Sequence, residues 1–288
     1  MAYSYECFAV THIGNHRKNN EDSFYIGYLI SFDEQSAMSQ EENKSITKSV
    51  VSDGMENRIF AVSDGMGGHE FGEIASSIVV SALDEFLIRH NQKACHKRNE
   101  KFAYIQSFQE MIDQANKEIN KSAIDENSTG NMGATLSGVI VFPDEVVPFN
   151  IGDSSTFIYE KGNLRKLTAD DNEAEMIGST SAKKLEADGK RLTKYFGLPE
   201  SSGVLTATIS KPVSLKLGQI FIIVTDGLTD SLSQGEITKI IDKNTNCIKA
   251  AVSKLLEEAL IGVNRGRDNI TVVMVKIKTT ELRSWNQW

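Results

Sequence analysis

The chain has 288 residues, 40% of them hydrophobic, and a formal net charge of −8 at pH 7. That length suits one large domain or two small ones, with ample apolar material for a core, and the acidic excess argues against non-specific nucleic-acid binding, which runs on phosphate neutralisation. No apolar run reaches the ~18–20 residues a membrane span needs. The N-terminus has neither a basic region nor an apolar stretch, so it reads as no signal peptide. Cys7, Cys95 and Cys247 have neither zinc nor redox spacing and read as free thiols in a reducing cytoplasm.

In chain order, residues 5–12 read as a first strand. A loop rich in His, Asn and basic residues follows, with Arg17 three positions before Asn20. An arginine near carboxylates has the fork geometry to bind phosphate. His12 and His16 show no i, i+4 pairing and read as loop histidines. Glu21 and Asp22 lead into a strand over 23–30. Residues 31–57 are polar and read as a surface insertion, partly disordered or extending a hairpin.

Residues 58–72 organise the rest. The apolar run 59–62 delivers Asp64, and Gly65, Gly67, Gly68 and Gly72 follow. Glycine lets backbone take positive φ and turn carbonyls toward a ligand. The Gly-Lys-Ser/Thr of a phosphate loop is missing; a carboxylate with nearby carbonyls suits a hard divalent cation. A single Asp-Gly after a strand is ordinarily a turn, and Asp53-Gly54 and Asp188-Gly189 read as such. The pentapeptide Val51-Ser-Asp-Gly-Met55 duplicates Val62-Ser-Asp-Gly-Met66 but lacks the apolar strand before it and Gly67-Gly68-His69 after it.

Apolar rows at helical spacing predict helices over 72–90 and 102–123. Residues 135–142 with 146–151, and 155–159 with 164–167, read as successive hairpins, hence antiparallel sheet and no doubly wound fold. The strand ending at Gly152 delivers Asp153. Residues 170–203 are the least regular part. Strands follow over 204–209 and 220–225, the second ending in Asp226-Gly227. A third helix spans 248–263, capped by Thr245 or Asn246. Asp268-Asn269 opens a last strand over 270–277. Trp285 and Trp288 in the tail either pack on the domain or mark a contact.

Five strand ends thus carry acids, with Arg267 the one basic neighbour. Clustered carboxylates repel unless cations neutralise them. Asp and Glu without His or Cys favour Mg²⁺ or Mn²⁺ over Zn²⁺. With no Pro-, Gly- or Ser-rich linker, and with acids of both halves forming one site, a single α+β domain is expected over 1–288.

The ordered set Arg17-x-x-Asn20-Glu21-Asp22, Ser63-Asp-Gly-Met-Gly-Gly-His69, Gly133-Ala-Thr135, Gly152-Asp-Ser154, Thr225-Asp-Gly227 and Asp268-Asn-Ile-Thr271 resembles the metal-dependent protein phosphatases of the protein phosphatase 2C family, in their bacterial form. The resemblance runs from about residue 8 to 278. It implies a four-layer α-β-β-α sandwich of two mostly antiparallel sheets flanked by helices, with a small flap over 170–203. It implies hydrolysis of phosphoserine or phosphothreonine in protein substrates by a water activated between two Mn²⁺ or Mg²⁺ ions, opposing a serine/threonine kinase. On this reading Asp64 bridges the ions and the Gly65 carbonyl reaches one of them. Asp226 and Asp268 hold one ion. Glu21 reaches the other, directly or through water, and Asp22 binds through water or stands behind the ligands. Asp153, with Asp226, builds a third, weaker site, and Arg17 binds the phosphoryl group.

No Ser–His–Asp set or Cys-x5-Arg loop offers a covalent nucleophile. Animal members of the family carry a histidine where Met66 stands. The bacterial pattern Gly-Asp-Ser-Arg is here Gly152-Asp-Ser-Ser155. Leu-Thr-x-Asp-His-Ser becomes Leu167-Thr-Ala-Asp-Asp-Asn172, and an expected arginine is Lys194. Since every proposed ligand remains, activity is expected to persist with altered substrate docking or flap geometry. The rivals are an inert module on the same fold, against which the intact acids argue, and a two-metal nuclease, against which the net charge argues.

Overall fold

The computed structural model describes residues 3–27, 45–52, 57–67, 70–90, 95, 97–126, 132–173, 175, 191–262 and 265–279, without the side chains of 45–52, 70 and 279. Strands that are apolar in unbroken runs need cover on both faces. Two stacked sheets between helices supply it. The first sheet has the order β10 (Asn163–Lys166), β9 (Ser155–Glu160), β13 (Ile220–Val224), β14 (Ile270–Thr279), β1 (Tyr3–His12), β3 (Ser45–Ser52). The second has β11 (Thr208–Ile209), β8 (Glu145–Ile151), β7 (Leu136–Val141), β4 (Arg58–Ser63), β2 (Ser23–Ile26), with β12 (Val213–Ser214) also on β8. A short pair, β5 (Gly65–Met66) and β6 (Gly133–Ala134), stands beside them, and every pairing is antiparallel.

Alternation assigns each strand residue to one of three cores. In β14, Val273, Val275 and Ile277 face the other sheet, joining Phe60 and Val62 of β4. Val272 and Met274 of the same strand face the helices, joining Ile237 and Ile241 of α4 (Gln234–Asn244) and Val252 and Leu255 of α5 (Ile248–Leu260). In β4, Ile59 and Ala61 face Val79 and Leu83 of α1 (Glu70–His90) and Phe108 and Ile112 of α2 (Arg98–Asp125). The layers are therefore helix, sheet, sheet, helix, as the resemblance implies.

Four expectations need correction. Where three helices are expected, the described residues hold five, adding α3 (Asp226–Ser231) and α4. α4 announces itself by a capping box the apolar rows do not show: Ser233 accepts from the Glu236 amide while Glu236 accepts from the Ser233 amide. The N-cap position of α5 is Cys247, which makes no side-chain capping bond, and not Thr245 or Asn246. The strand expected over 204–209 shrinks to Thr208–Ile209, because Val204 is 73% exposed and has no sheet face to fill. Within the polar stretch 31–57, residues 45–52 form the edge strand β3 on β1, a largely polar strand that runs into the first two residues of the duplicate pentapeptide. The Trp285 and Trp288 expectation, His69 and Asp188-Gly189 lie outside the described residues, as do 174 and 176–190 of the segment 170–203.

Candidate metal centre

The acids predicted at strand ends stand where the two sheets offer their ends to one another. Glu21 is placed by its own peptide group. Its N–H donates to Asn269 Oδ1 (2.8 Å), and its carbonyl accepts from Ser76 Oγ (2.6 Å) and the Gly65 amide (3.1 Å). The start of β14, helix α1 and β5 thus meet on one residue. Glycine makes this approach possible: a Cβ on Gly65 would run into the Gly72 and Glu21 carbonyls, and one on Gly72 into the Glu21 carboxylate. That explains why Gly72, seven residues after Gly65, belongs to the motif.

Asp22 is buried. Its Oδ2 accepts from Thr225 (2.8 Å) and from Thr271 (2.7 Å), hydroxyls on the two strands that carry Asp226 and Asp268. Nothing among the described residues donates to its Oδ1. Burial pushes the Asp22 carboxyl up to about 7; the two threonines oppose the rise, and the charges of Asp226 and Asp268 add to it. Asp64 is held at its backbone: its N–H donates to Thr135 Oγ1 (3.0 Å) and its carbonyl accepts from the Thr135 amide (2.8 Å). Its carboxyl retains some surface, yet protein crowds it enough to push its pKa well above the usual range. Burial is the main cause, followed by the charges of Asp22, Asp226, Asp268 and Asp153.

Asp226 opens α3 directly after β13. A Cβ on Gly227 would strike the Asn269 carbonyl, so Asp226-Gly227 and Asp268-Asn269 lie backbone to backbone. Asn269 donates through Nδ2 to the Ile13 and Asn19 carbonyls (2.9 and 3.0 Å), tying the Arg17 loop to the same point. Arg17, about half exposed, pairs through Nη2 with Asp268 Oδ2 at 2.6 Å, a contact that raises its pKa further. Asp153 follows Gly152, which has φ +95° and packs on Thr135. A cleft of about 370 Å³ opens beside Asp153 and Asp226, along Ser155, Lys166 and Asp170. A groove of similar size, about 380 Å³, between α1 and α2 is lined by Ser77, Phe86 and Met111 and lies away from these acids.

The structure therefore brings Asp22, Asp64, Asp153, Asp226 and Asp268 within reach of one another's charge, with Glu21 buried against Gly72 and Arg17 at the rim. Among the described residues no three acidic, His or Cys side chains are gathered into a closed coordination shell; Asp268 is turned onto Arg17 instead. The donor chemistry still fits a hard divalent cation. It is all oxygen, and it includes a buried carboxylate oxygen, Asp22 Oδ1, that no described donor satisfies. Sequence reasoning assigns no role to Thr135, Thr225, Thr271 or Asn269, which hold the acids in place. The signal is positional for Thr225 and Asn269, which directly flank Asp226 and Asp268; Thr135 and Thr271 flank no acid.

A family model described as "Protein phosphatase 2C" matches residues 44–260. The chain is similar to the serine/threonine phosphatase stp of Listeria innocua, 27% identical over 221 residues, 76% of this chain and 84% of that protein. It is similar to the protein phosphatase PhpP of Streptococcus pneumoniae, 25% identical over 277 residues, 94% of this chain and 97% of that one. Among solved structures, the catalytic domain of the serine threonine protein phosphatase PstP in complex with two manganese ions superposes with a TM-score of 0.72. It is 22% identical and covers 96% of this chain and 99% of that one.

Proposed function

The chain belongs to the protein phosphatase 2C family, and from that premise we propose that it removes phosphate from phosphoserine and phosphothreonine in protein substrates, using two Mn²⁺ or Mg²⁺ ions and opposing a serine/threonine kinase. The observation that carries the reading is the convergence of acids from five strand ends around a buried carboxylate oxygen without a described donor. The bacterial relatives named as serine/threonine phosphatases support the substrate class, and the manganese complex of the PstP neighbour supports the metal. No helix among the described residues is long and apolar enough to cross a membrane.

Asp64 would hold both ions, and the Gly65 carbonyl one of them. Asp226 and Asp268 would hold one, Glu21 the other, and Asp22 would support them. Asp153 with Asp226 would hold a third, weaker ion. When bound, such ions polarise the phosphoryl oxygens and acidify the attacking water.

The chain's own residues do the rest. Arg17, at the rim, takes phosphate oxygens in exchange for the Asp268 carboxylate, so its charge stays balanced. Thr225 and Thr271 keep Asp22 fixed through two donated hydrogen bonds. Met66 has no proton to give, so the leaving alkoxide takes its proton from solvent. Water oxygen bonds to phosphorus as the ester P–O bond breaks, in one step, and the proton that water loses passes to solvent; the sequence offers no Ser–His–Asp set or Cys-x5-Arg loop for a covalent step.

The test is hydrolysis of p-nitrophenyl phosphate and a phosphothreonine peptide with Mn²⁺, Mg²⁺ or EDTA, for wild type and Asp64→Asn. Metal-dependent turnover is expected in the wild type and loss of at least ~100-fold in Asp64→Asn, the scale of removing a principal charge stabiliser. Equal activity in the two proteins would overturn this assignment of the site.

A further inference from the structure

Two of the positions at which this sequence departs from the bacterial pattern, Asp171 and Lys194, meet in space. The Lys194 ammonium stands 3.5 Å from Asp171 Oδ1, with the two side chains 30% and 16% exposed. Lys194 also donates to Thr208 Oγ1 at 2.8 Å, and that hydroxyl in turn donates weakly to Asp171 Oδ1 at 3.4 Å. Thr208 lies on β11, paired with Asn150 of β8, the strand that leads into Gly152 and Asp153.

The other carboxylate oxygen of Asp171 reaches the site. Gly152 N–H donates to Asp171 Oδ2 (3.2 Å), and Asp171 N–H donates to the Gly152 carbonyl (2.8 Å). Gly152 is thus bracketed on both sides of its residue, in a left-handed conformation, with Thr135 against its Cα. The next residue is Asp153.

Asp171 also opens a two-stranded neck. Thr193 N–H donates to its carbonyl (2.8 Å), Asn172 bridges Leu192, and Glu173 N–H donates to the Arg191 carbonyl (3.0 Å). Lys194 closes that neck.

We propose that Asp171 and Lys194 form one positioning unit. It fixes the Gly152–Asp153 turn, and so the Asp153 carboxylate, and fastens it to the neck of the 170–203 segment. The role assigned to Asp153 rests on the phosphatase reading above. The electrostatics couple the two side chains. An aspartate at 171 adds negative charge against the Gly152 turn, and a lysine at 194 offsets it at short range. Loss of the carboxylate or of the cation would leave a half-buried charge without its partner.

The test uses the full chain and four variants: Asp171→Asn, Lys194→Met, the double variant, and Lys194→Arg. Mn²⁺ binding is measured by calorimetry, and kcat and KM with a phosphothreonine peptide. Each single variant is expected to weaken Mn²⁺ binding about tenfold, as loss of a partner behind metal ligands does. The double variant should be no worse than either single one, and Lys194→Arg should keep the wild-type Kd. Additive losses, or wild-type binding in both single variants, would overturn the unit.

Hydrogen exchange on the wild type keeps the test open if a variant fails to fold. Mn²⁺ should slow exchange in peptides 150–154 and 170–173 together; slowing in the first alone would overturn the proposal. A wild type inert toward the phosphopeptide, with the Mn²⁺ pattern intact, would sink the phosphatase reading and leave the positioning unit standing.

Discussion

Asp22 shows most directly how a fold can hold a group in an unfavourable state. Its ordinary pKa is near 4, and in the fold it is about 7. Between those values the folded chain keeps a proton that the unfolded chain has released. Stability in EDTA therefore falls as pH rises from about 4 to about 7, by up to ~1.4 kcal/mol per pH unit for this one group. Chemical denaturation across that range should show the decline, and Asp22→Asn should make it shallower. A slope unchanged by the substitution would mean that Asp22 is ionised throughout. Bound divalent ions favour the carboxylate, so Mn²⁺ should also flatten the profile.

At the scale of elements, the candidate centre depends on how closely backbones approach. Gly227→Ala places a methyl group against the Asn269 carbonyl. Overpacking of this kind costs about 1–3 kcal/mol, and here it also pushes Asp226 away from Asp268. Urea denaturation should show the loss of stability, and Mn²⁺-dependent turnover should fall more than stability alone explains. Gly235→Ala, whose Cβ meets nothing within 4 Å, serves as the control.

Much of this was legible in the chain. The strands ending at Asp64, Asp153 and Asp226 and the pair opening at Asp268 were marked by apolar runs, and α1 and α2 by apolar rows. Their observed ends differ by a few residues, because fraying turns carry little apolar signal. α4 escaped because its exposed face is polar and its start is written in hydrogen bonds, not hydrophobicity. The threonines around Asp22 escaped because they lie 203 and 249 residues from it in sequence. The Asp171–Lys194 pair was visible only as two separate departures until the fold joined them.

At the scale of the molecule, the middle core draws on both sheets, from Cys7 and Phe24 to Val273. Neither sheet can keep that face covered alone, so we expect the chain to unfold as one unit. Calorimetry should give a single transition that Mn²⁺ moves upward, by RT ln(1 + [Mn²⁺]/Kd) in free energy. Two transitions separated by EDTA would mean that the sheets melt independently.

The pairing of β1 with β14 has a further consequence. Tyr3 lies opposite Thr279, and β14 is the strand that joins β1 to β13. During synthesis, β1 emerges from the ribosome long before the neighbour that completes it. Until β14 appears, Cys7, Ala9 and Phe221 wait with apolar faces uncovered, and Asp268, just ahead of β14, is among the last acids to arrive. Nascent chains stalled before residue 268 should bind a holdase chaperone and show no metal-dependent turnover, and both properties should change together once the last strand is released. Contacts this distant also slow folding, so the interval in which the chain is both inactive and sticky is set by the position of one strand.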